Sequence, residues 1–314
     1  MRWQLKARLQ NAVAALPFAS NAVYYALQRS VGGLRPGLNH PVERFIAAIR
    51  IVDWIESAGG TIDDRRFVEI GTGHMVNVPT ALWLLGAGET ISVDLNRYLS
   101  GKLVAESNEY IRRHEHAVVT LFGDRAKSRT FQDRFGALLS FRGKIEDMLA
   151  MMNVRYFSPC DARKLPLPDE SVDFHVSNTV LEHIPPGVMS EILAEAKRVL
   201  KSGGILVHHI DPSDHFSHSD DSISAVNFLK FSDDEWDRWA GNRFMYHNRL
   251  RASDYRSLFE RAGAHIVRSE TDVDERALVA LKNGFPLARK FLDVDPTELA
   301  TTELSILARF DQDH

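Results

Sequence analysis

The sequence contains very little cysteine. Cys160 is the single cysteine among 314 residues, which excludes an intrachain disulfide and suits a reducing compartment. Long apolar runs are missing too, because none approaches the roughly 20 residues that a membrane-spanning helix needs. Internal repeats and low-complexity tracts are also absent. We therefore expect a globular, cytoplasmic protein.

The chain has no excess of positive charge. Lys and Arg number 38 against 42 Asp and Glu, which gives a formal net charge of -4. Binding a phosphate backbone requires a clustered positive surface, so we predict no nucleic-acid partner. Hydrophobic residues make up 44% and charged residues 25%, the balance of an ordinary folded protein. The length allows one large domain or two.

The first 38 residues depart from this balance, because they contain five basic residues and no acidic one. Leu5, Leu9, Val13 and Leu16 recur at helical spacing, which predicts an amphipathic helix. We interpret residues 1–40 as a basic arm that packs on the domain or contacts a second copy of the chain in a homo-oligomer. Peripheral contact with a membrane surface is the alternative. A signal peptide is disfavoured because Pro17 interrupts the apolar stretch.

Residues 41–314 are predicted to form one domain in which strands and helices alternate. Alternation of this kind predicts a parallel sheet with helices on both faces. The predicted strands are Arg66–Ile70, Thr90–Asp94, Val154–Ser158, Val172–Ser177 and Ile205–Ile210. The predicted helices are Pro41–Ser57, Val78–Leu85, Met189–Leu200 and Ala252–Ala262. With two edge strands at His265–Ser269 and Leu304–Phe310, one of them antiparallel, the sequence predicts a Rossmann-like α/β fold with a seven-stranded, mostly parallel sheet.

Two connections are much longer than the few residues usual between neighbouring elements. Residues 97–152, the first insertion, contain amphipathic helical patterns and are predicted to form a helical cap. Residues 212–254, the second insertion, are rich in Asp, His and aromatic residues. We predict that the second insertion is a lid or contributes to substrate binding.

The segment FVEIGTGHMVNVP at Phe67–Pro79 is an apolar strand followed by a glycine-rich turn and the start of a helix. Gly71 and Gly73 permit backbone angles denied to other residues and let a ligand approach the main chain. Asp94 follows the second strand, where a carboxylate accepts both ribose hydroxyls of an adenosine. The third glycine of a dinucleotide fingerprint would fall at Val76, whose side chain obstructs a pyrophosphate. A nucleoside ligand without phosphate is favoured.

Three downstream segments complete an ordered series: YFSPCDARKLPL at Tyr156–Leu167, VDFHVSNTVLEHIP at Val172–Pro185 and RVLKSGGILVHHI at Arg198–Ile210. With the first turn, this series resembles the class I S-adenosylmethionine-dependent methyltransferases, specifically the methyltransferase domain 11 type. The sequence departs from many relatives at Met75, where they have glycine. The resemblance implies that the cofactor is S-adenosyl-L-methionine.

The resemblance also implies which residues bind that cofactor. Glu69 and Gly71 would face the aminocarboxylate of its methionine part, and Asp94 would hold the ribose. Asp161 would flank the adenine, and Asn178 would line the methionine end. The full predicted set is Glu69, Gly71, Thr72, Gly73, Asp94, Leu95, Asp161, Ala162 and Asn178.

Methyl transfer to an alcohol also needs a group that removes the proton of the alcohol. His183 and His209 are the candidates, because histidine has an ordinary pKa of about 6.5, and Asp211 completes the predicted catalytic set. We predict O-methylation of a small-molecule, glycan or lipid-linked acceptor. The glycan and lipid classes rest on the similarity of Asn227–Phe259 to methyltransferases associated with surface polysaccharides and glycolipids.

A metal ion beside the acceptor is a further alternative. Glu182 and His183 loosely resemble the ligands of metal-dependent methyltransferases, but those have another carboxylate at the position of Thr179. The segment HHIDPSDHFSHSDD at residues 208–221 offers more donors, yet such clustering is as often a solvated loop. We therefore expect no bound metal. A nicotinamide-dependent oxidoreductase and a non-catalytic binding protein remain as alternative functions.

Overall fold

The computed structural model describes residues 1–18, 20–38 and 40–311. Its strands are β1 (Arg66–Ile70), β2 (Glu89–Val93), β3 (Val154–Phe157), β4 (Val172–Asn178), β5 (Leu200–Ile210), β6 (Ala264–Val273) and β7 (Thr301–Phe310). They form one seven-stranded sheet in the order β3-β2-β1-β4-β5-β7-β6. Strands β1 to β5 are parallel, and β7 runs antiparallel between β5 and β6. The predicted fold class is confirmed.

Strand β5 begins five residues earlier than predicted. Its first residue, Leu200, pairs with Val172 of β4, and a register shift follows between Val172 and Phe174. The residues between Leu200 and Ile205 are polar or glycine, so they carry no strand pattern in the sequence. The early start of β5 therefore rests on the single pair Leu200–Val172, which a sequence pattern does not reveal because strand pairing depends on cross-strand contacts.

Thirteen helices are described. They are α1 (Trp3–Ala14), α2 (Ser20–Ser30), α3 (Val42–Ser57), α4 (Asn77–Leu85), α5 (Gly101–Arg113), α6 (Glu115–Leu121), α7 (Arg129–Ser140), α8 (Ile145–Met151), α9 (Pro186–Val199), α10 (Asp233–Ala240), α11 (Ala252–Arg261), α12 (Glu275–Lys282) and α13 (Pro296–Leu299). Helices α3 and α4 cover one sheet face through a core that includes Phe45 and Leu82. Helices α9 and α11 cover the other face, with Met189 and Phe259 buried. No described helix is both long and apolar enough to cross a bilayer.

The first insertion folds as helices α5 to α8 and extends the core beneath α3 and α4. Phe122 and Phe131 are buried with ring centroids 4.9 Å apart, and Phe45 of α3 lies 5.6 Å from Phe122. The Ser128 side chain caps α7 by accepting a hydrogen bond from the Phe131 N–H at 3.1 Å. Burying a phenylalanine contributes about 1.5–3 kcal/mol. The insertion is therefore an integral part of the hydrophobic core.

The amino-terminal arm packs against the second insertion. Trp3 is buried, with its ring centroid 5.0 Å from Trp239 and 5.5 Å from Phe216. Its backbone N–H donates to Asp220 Oδ2 at 2.6 Å. The buried face of α1 differs from the sequence expectation, because Leu5 and Leu9 are exposed. Insertion of the Trp3 indole into an aromatic cluster rotates the predicted apolar stripe toward solvent.

Two arginines hold the second insertion in place. The Arg251 side chain is almost fully buried and donates to the Pro212 carbonyl at 2.5 Å and to the Leu299 carbonyl at 3.4 Å. Arg249 is also buried and donates to the Phe228 carbonyl at 2.9 Å. A buried guanidinium costs free energy unless its N–H groups are bonded. The contacts with Pro212 and Phe228 therefore tie the insertion to itself, and the contact with Leu299 joins it to the end of α13.

Candidate active site

The glycine-rich turn after β1 requires glycine at its first position. Gly71 has φ +79° and Gly73 has φ +73°, the left-handed region that side chains disfavour. A Cβ on Gly71 would also lie 2.5 Å from Cγ2 of Val180, at the end of β4. The turn therefore passes directly against the loop that follows β4. This contact brings the ends of two neighbouring strands together.

The Glu69 carboxylate supports this turn from below. Its Oε2 accepts hydrogen bonds from Thr72 Oγ1 at 2.6 Å and from Ser92 Oγ at 2.7 Å. Burial raises the pKa of Glu69, and the two hydroxyl contacts oppose this shift. Among the described residues, Glu69 and Thr72 do not line the adjacent cavity. Their placement indicates that they hold the turn in shape, which differs from the direct cofactor contact predicted for them.

Asp94 joins three segments at the end of β2. Its Oδ2 accepts hydrogen bonds from the Gly73 N–H at 3.0 Å and from the Tyr156 hydroxyl at 3.0 Å, and its backbone carbonyl accepts from the Cys160 N–H at 2.9 Å. The Asp94 side chain is only 6% exposed, and burial raises its pKa to about 7. The carboxylate is thus fixed in position at the sheet edge, where a ribose-binding acid is expected.

A cavity of about 950 Å³ opens at the carboxyl ends of the parallel strands. Ligand pockets have volumes of roughly 300–1,000 Å³, so this one has room for a nucleoside cofactor and part of a second molecule. Of the predicted cofactor residues, six line it: Gly71, Gly73, Asp94, Leu95, Asp161 and Ala162. Residues from three separate turns therefore meet in one place, as the sequence predicts.

The end of the cavity where the sequence predicts the adenine carries an ion pair. Asp161 accepts from Arg163 at 2.7 Å, and both side chains are about 40% exposed. The Arg163 contacts lower the pKa of Asp161, so the carboxylate is ionised and can accept a hydrogen bond from an adenine amino group. At the other end, Thr179 lines the cavity rather than Asn178. Thr179 has φ +53°, and this turn directs the chain after β4 toward the cavity.

The arm and the second insertion form the remaining wall, which the sequence analysis did not predict. Tyr24 and Tyr25 of α2 line the cavity together with Phe244 and Tyr246 of the second insertion. The Tyr24 and Phe244 rings stack with centroids 4.2 Å apart. The paired tyrosines in an otherwise basic arm were the available signal, because adjacent aromatics on a polar helix are typical of a binding surface.

The predicted base His209 lies outside the cavity. Its Nδ1 is 2.7 Å from Ser305 Oγ, and its ring lies edge-on to Trp54 of α3, with centroids 6.0 Å apart. Successive side chains of a strand point to opposite faces, so His208 faces Phe259 of α11 instead. His209 lies at the end of β5 as predicted, but its side chain points away from the cavity. This position does not support a role for His209 as the base.

The predicted base His183 does line the cavity. Its Nδ1 lies 2.9 Å from the Tyr246 carbonyl, so this nitrogen carries the proton and donates, and Nε2 carries the lone pair. The ring is exposed on the cavity side. Loss of solvent on its other sides and the neighbouring His215 lower the pKa of His183. The ring is therefore neutral near pH 7.

Asp211 lies in a cluster of histidines beside His183. Its Oδ2 is 3.3 Å from His215 Nε2 and 3.4 Å from His218 Nε2. Burial would raise the pKa of Asp211, but the neighbouring His215 and the hydrogen bonds from Ser213 outweigh burial and hold the pKa below its usual range. Asp211 is therefore an anion among imidazoles. This arrangement orients the rings around the carboxylate.

Comparison with known proteins identifies a family over part of the chain. Residues 144–208 match the family model described as a methyltransferase domain. This match spans β3, β4 and most of β5. No curated protein sequence matches significantly. Together with the strand order, the family match confirms the resemblance to class I S-adenosylmethionine-dependent methyltransferases, and with it the enzyme class and the cofactor.

Several solved structures are similar to this chain at low sequence identity. Magnesium protoporphyrin IX methyltransferase from Synechocystis PCC 6803, with bound S-adenosylhomocysteine, is 11% identical with a TM-score of 0.47, over 96% of this chain and 99% of that one. Geranyl diphosphate methyltransferase in complex with S-adenosylmethionine is 12% identical with a TM-score of 0.45, over 96% and 95%. A methyltransferase from Mesorhizobium loti is 13% identical with a TM-score of 0.41, over 82% and 96%. Similarities this distant carry no argument about the substrate.

Proposed function

We propose that this class I S-adenosylmethionine-dependent methyltransferase methylates a hydroxyl oxygen on the ring of a lipid-linked acceptor. One observation carries the proposal: a single cavity contains both the predicted cofactor residues and an aromatic wall from the arm and the second insertion. Asp94 marks the cofactor half, and Tyr25 and Phe244 mark the acceptor half. His183 lines the same cavity.

The cofactor half is supported by its donor and acceptor groups. Asp94 would accept the ribose hydroxyls, and the main chain of Gly71 and Gly73 leaves room for the methionine part. Bound S-adenosylmethionine supplies an electrophilic methyl group. The protein has to align the acceptor oxygen with the methyl carbon and exclude water from the site. The enclosing wall formed by α2 serves both purposes.

The acceptor half suits a hydroxylated ring. Tyr25 presents an aromatic ring to the cavity, and the ring of an acceptor packs favourably against such a face. The Phe244 ring is already stacked on Tyr24 and holds that tyrosine in the wall. Gln28 and Arg243 line the same wall and can hydrogen-bond to hydroxyl groups. Arg243 also lies over the Phe244 ring, with its guanidinium carbon 4.8 Å from the ring centroid. The combination of apolar faces and polar edges is suited to a sugar or another ring that bears hydroxyls.

A lipid carrier is favoured by the outer surface of the arm. Leu5, Leu9, Leu16 and Phe18 are exposed, and Phe18 reaches 86% exposure. The first 38 residues carry five basic residues and no acidic one. Apolar side chains beside basic ones bind an anionic membrane surface. Because α2 of the same arm lines the cavity, a membrane-bound arm would place the acceptor half close to the lipid.

His183 is the group we propose to receive the proton of the acceptor hydroxyl. Its neutral Nε2 can accept a hydrogen bond because Nδ1 donates to the Tyr246 carbonyl. As the acceptor oxygen bonds to the methyl carbon, the sulfur–carbon bond breaks with its electron pair on sulfur, and the hydroxyl proton passes to His183. His183→Ala is expected to lower kcat, and His209→Ala to leave kcat unchanged.

The direct test is transfer of a labelled methyl group. We would incubate the protein with methyl-labelled S-adenosylmethionine and either a glycolipid extract or water-soluble glycans and phenols. The proposal predicts label in the glycolipid fraction, and label only in the soluble fraction would refute the lipid carrier. Tyr25→Ala should raise KM for the acceptor without changing affinity for S-adenosylhomocysteine, whereas Val23→Ala on the same helix should change neither. Binding of NAD in place of S-adenosylhomocysteine would refute the assignment as a whole.

A further inference from the structure

Donor side chains from three segments converge next to the cavity. Glu182 and His183 follow β4, and His215 follows β5; one donor atom from each of these three residues lies within 4.8 Å of the others. Ligands of one ion at about 2.0–2.2 Å are themselves roughly 3–4.5 Å apart. Asp211 and His247 adjoin the same group, since the His215 ring centroid is 4.3 Å from that of His247. The spacing is that of a metal site.

Glu182, His215 and His247 of this cluster carry buried polar atoms without hydrogen-bond partners, and in His215 the atom is Nε2. Glu182 is fully buried, and neither carboxylate oxygen has a hydrogen-bond partner within the described part of the chain. The N–H groups of Glu182 and Asp211 approach it without hydrogen-bond geometry. His247 is 2% exposed, and its Nδ1 is also unpartnered. Buried polar groups without partners destabilise a fold. A cation between them would satisfy all three.

The histidine tautomers are already set for coordination. Nδ1 of His183 bonds to the Tyr246 carbonyl at 2.9 Å, which leaves the Nε2 lone pair free. Nε2 of His247 lies 3.4 Å from the Asp211 carbonyl, which leaves Nδ1 free. Metal-bound histidines commonly donate their second ring nitrogen to a carbonyl or carboxylate in this way. The backbone therefore orients both rings as ligands.

We propose that Glu182, His183 and His215 bind a divalent transition-metal cation, with Asp211 and His247 in reach to complete the coordination. The donors are imidazole nitrogens and carboxylate oxygens with no thiolate, a set that suits zinc and its first-row neighbours better than calcium or magnesium. This proposal replaces the sequence expectation that no metal is bound. Thr179, where related metal sites have a carboxylate, is not needed because Asp211 and the additional histidines supply donors.

Such an ion would change one step of the proposed function, and the metal site rests on that function in this step alone: Nε2 of His183 would bind the ion instead of accepting the hydroxyl proton. Because His183 lines the cavity, the ion would lie beside the acceptor half. A bound cation lowers the pKa of a coordinated hydroxyl. The hydroxyl proton would then leave to solvent or a neighbouring base, and His183 would serve as a ligand. His183→Ala would in that case remove both the metal and turnover.

The test measures metal binding without any methyl acceptor. The protein is stripped with a chelator and titrated with Zn²⁺ alone by calorimetry, and separately with Co²⁺ alone by visible absorption. We expect one ion per chain and a Co²⁺ spectrum typical of nitrogen and oxygen ligands. Glu182→Gln and His215→Ala should each weaken Zn²⁺ binding at least about tenfold. His116→Ala, which removes an exposed histidine from α6, should leave binding unchanged.

Two controls separate this proposal from the proposed function. Thermal unfolding and S-adenosylhomocysteine affinity of Glu182→Gln should stay close to those of the unmodified chain, which shows that the variant folds. Unchanged Zn²⁺ affinity in both variants, or no bound Zn²⁺ in the unmodified chain, would overturn the metal site. Stoichiometric Zn²⁺ binding together with no methylation of any lipid fraction would leave the metal site intact and refute the lipid-linked acceptor.

Discussion

The Asp94 carboxylate accepts a hydrogen bond from the backbone N–H of Gly73 at 3.0 Å, which joins the glycine-rich turn to the end of β2. One acidic side chain therefore joins two segments of the proposed cofactor site. We propose that it holds the ribose, and it also fixes the turn that would face the methionine part. Binding groups that are fixed before the ligand arrives lose less entropy on binding.

Replacing this carboxylate should abolish cofactor binding. Asp94→Ala removes the acceptor for the ribose hydroxyls and releases the Gly73 N–H, so we expect S-adenosylhomocysteine affinity to fall by at least about 100-fold. Calorimetry measures the affinity, and circular dichroism checks that the fold is retained. Asp133→Ala on α7, whose side chain is 72% exposed, is the matched control. Undiminished affinity in Asp94→Ala would contradict the ribose role.

The same residue should make the ligand-free protein less stable as the pH rises. The pKa of Asp94 is about 7 in the folded chain and about 3.9 when unfolded, so the folded chain binds this proton more tightly. The free energy of unfolding should therefore fall between pH 4 and pH 7 relative to Asp94→Asn, by at most about 4 kcal/mol. Urea unfolding of both proteins across this range measures the difference. If the difference in unfolding free energy between the two proteins does not vary with pH, the pKa of Asp94 is not raised in the folded chain.

A methyl group at the first glycine of the turn should be damaging. Gly71→Ala combines a φ of +79° with a Cβ placed 2.5 Å from Val180, so we expect a loss of about 1–3 kcal/mol in stability and weaker cofactor binding. Gly136→Ala on α7 is the control, since its Cβ would meet no atom within 4 Å and alanine favours a helix. If Gly71→Ala and Gly136→Ala shift the unfolding midpoint equally, the turn at Gly71 does not require glycine.

The arm should behave as part of the folded domain. Trp3 is 4% exposed and packs on three aromatic rings, so Trp3→Ala should destabilise the protein by about 3–5 kcal/mol. Leu9→Ala on the exposed face of the same helix should change stability by no more than about 0.5 kcal/mol. Denaturant unfolding measures both. A small effect of Trp3→Ala would mean that the arm contributes little to the fold.

Membrane attachment should depend on the exposed residues of the arm. The unmodified chain is expected to float with vesicles containing anionic lipid, and less so as salt is added, because salt screens the basic residues. Phe18→Ser should reduce the bound fraction several-fold. Leu292→Ser, which replaces a residue 62% exposed elsewhere, serves as the control. Equal flotation with neutral vesicles would argue against an electrostatic contribution.

Much of the fold follows from local sequence pattern. Strands such as Arg66–Ile70 are short apolar runs between glycine or charged residues, and the prediction matches β1 to β4 to within one residue at each end. The predicted β5, β6 and β7 are shorter than the observed strands by three to five residues. The turn residues Gly71 and Gly73 and the acid Asp94 were also placed correctly, because strand ends and turns are marked by residue type. These features depend on neighbours in the chain.

The features that the prediction missed depend on distant contacts. The direction of His209 is decided by packing against Trp54 and by pairing with β7. The contact between Glu182 and His215 depends on how the loop after β4 packs against the loop after β5. Likewise, the exposed face of α1 is set by where Trp3 inserts. None of these relationships is encoded within a single stretch of sequence.

The wall contributed by α2 separates two tasks along the chain. The residues that we propose to bind the nucleoside lie between β1 and β4, whereas Tyr24 and Tyr25 come from the first 30 residues. Substitutions in the arm would therefore change which acceptor is methylated and leave the cofactor half of the cavity unchanged. In an evolutionary setting, exchange of one terminal helix would be enough to diversify the products of a common catalytic core.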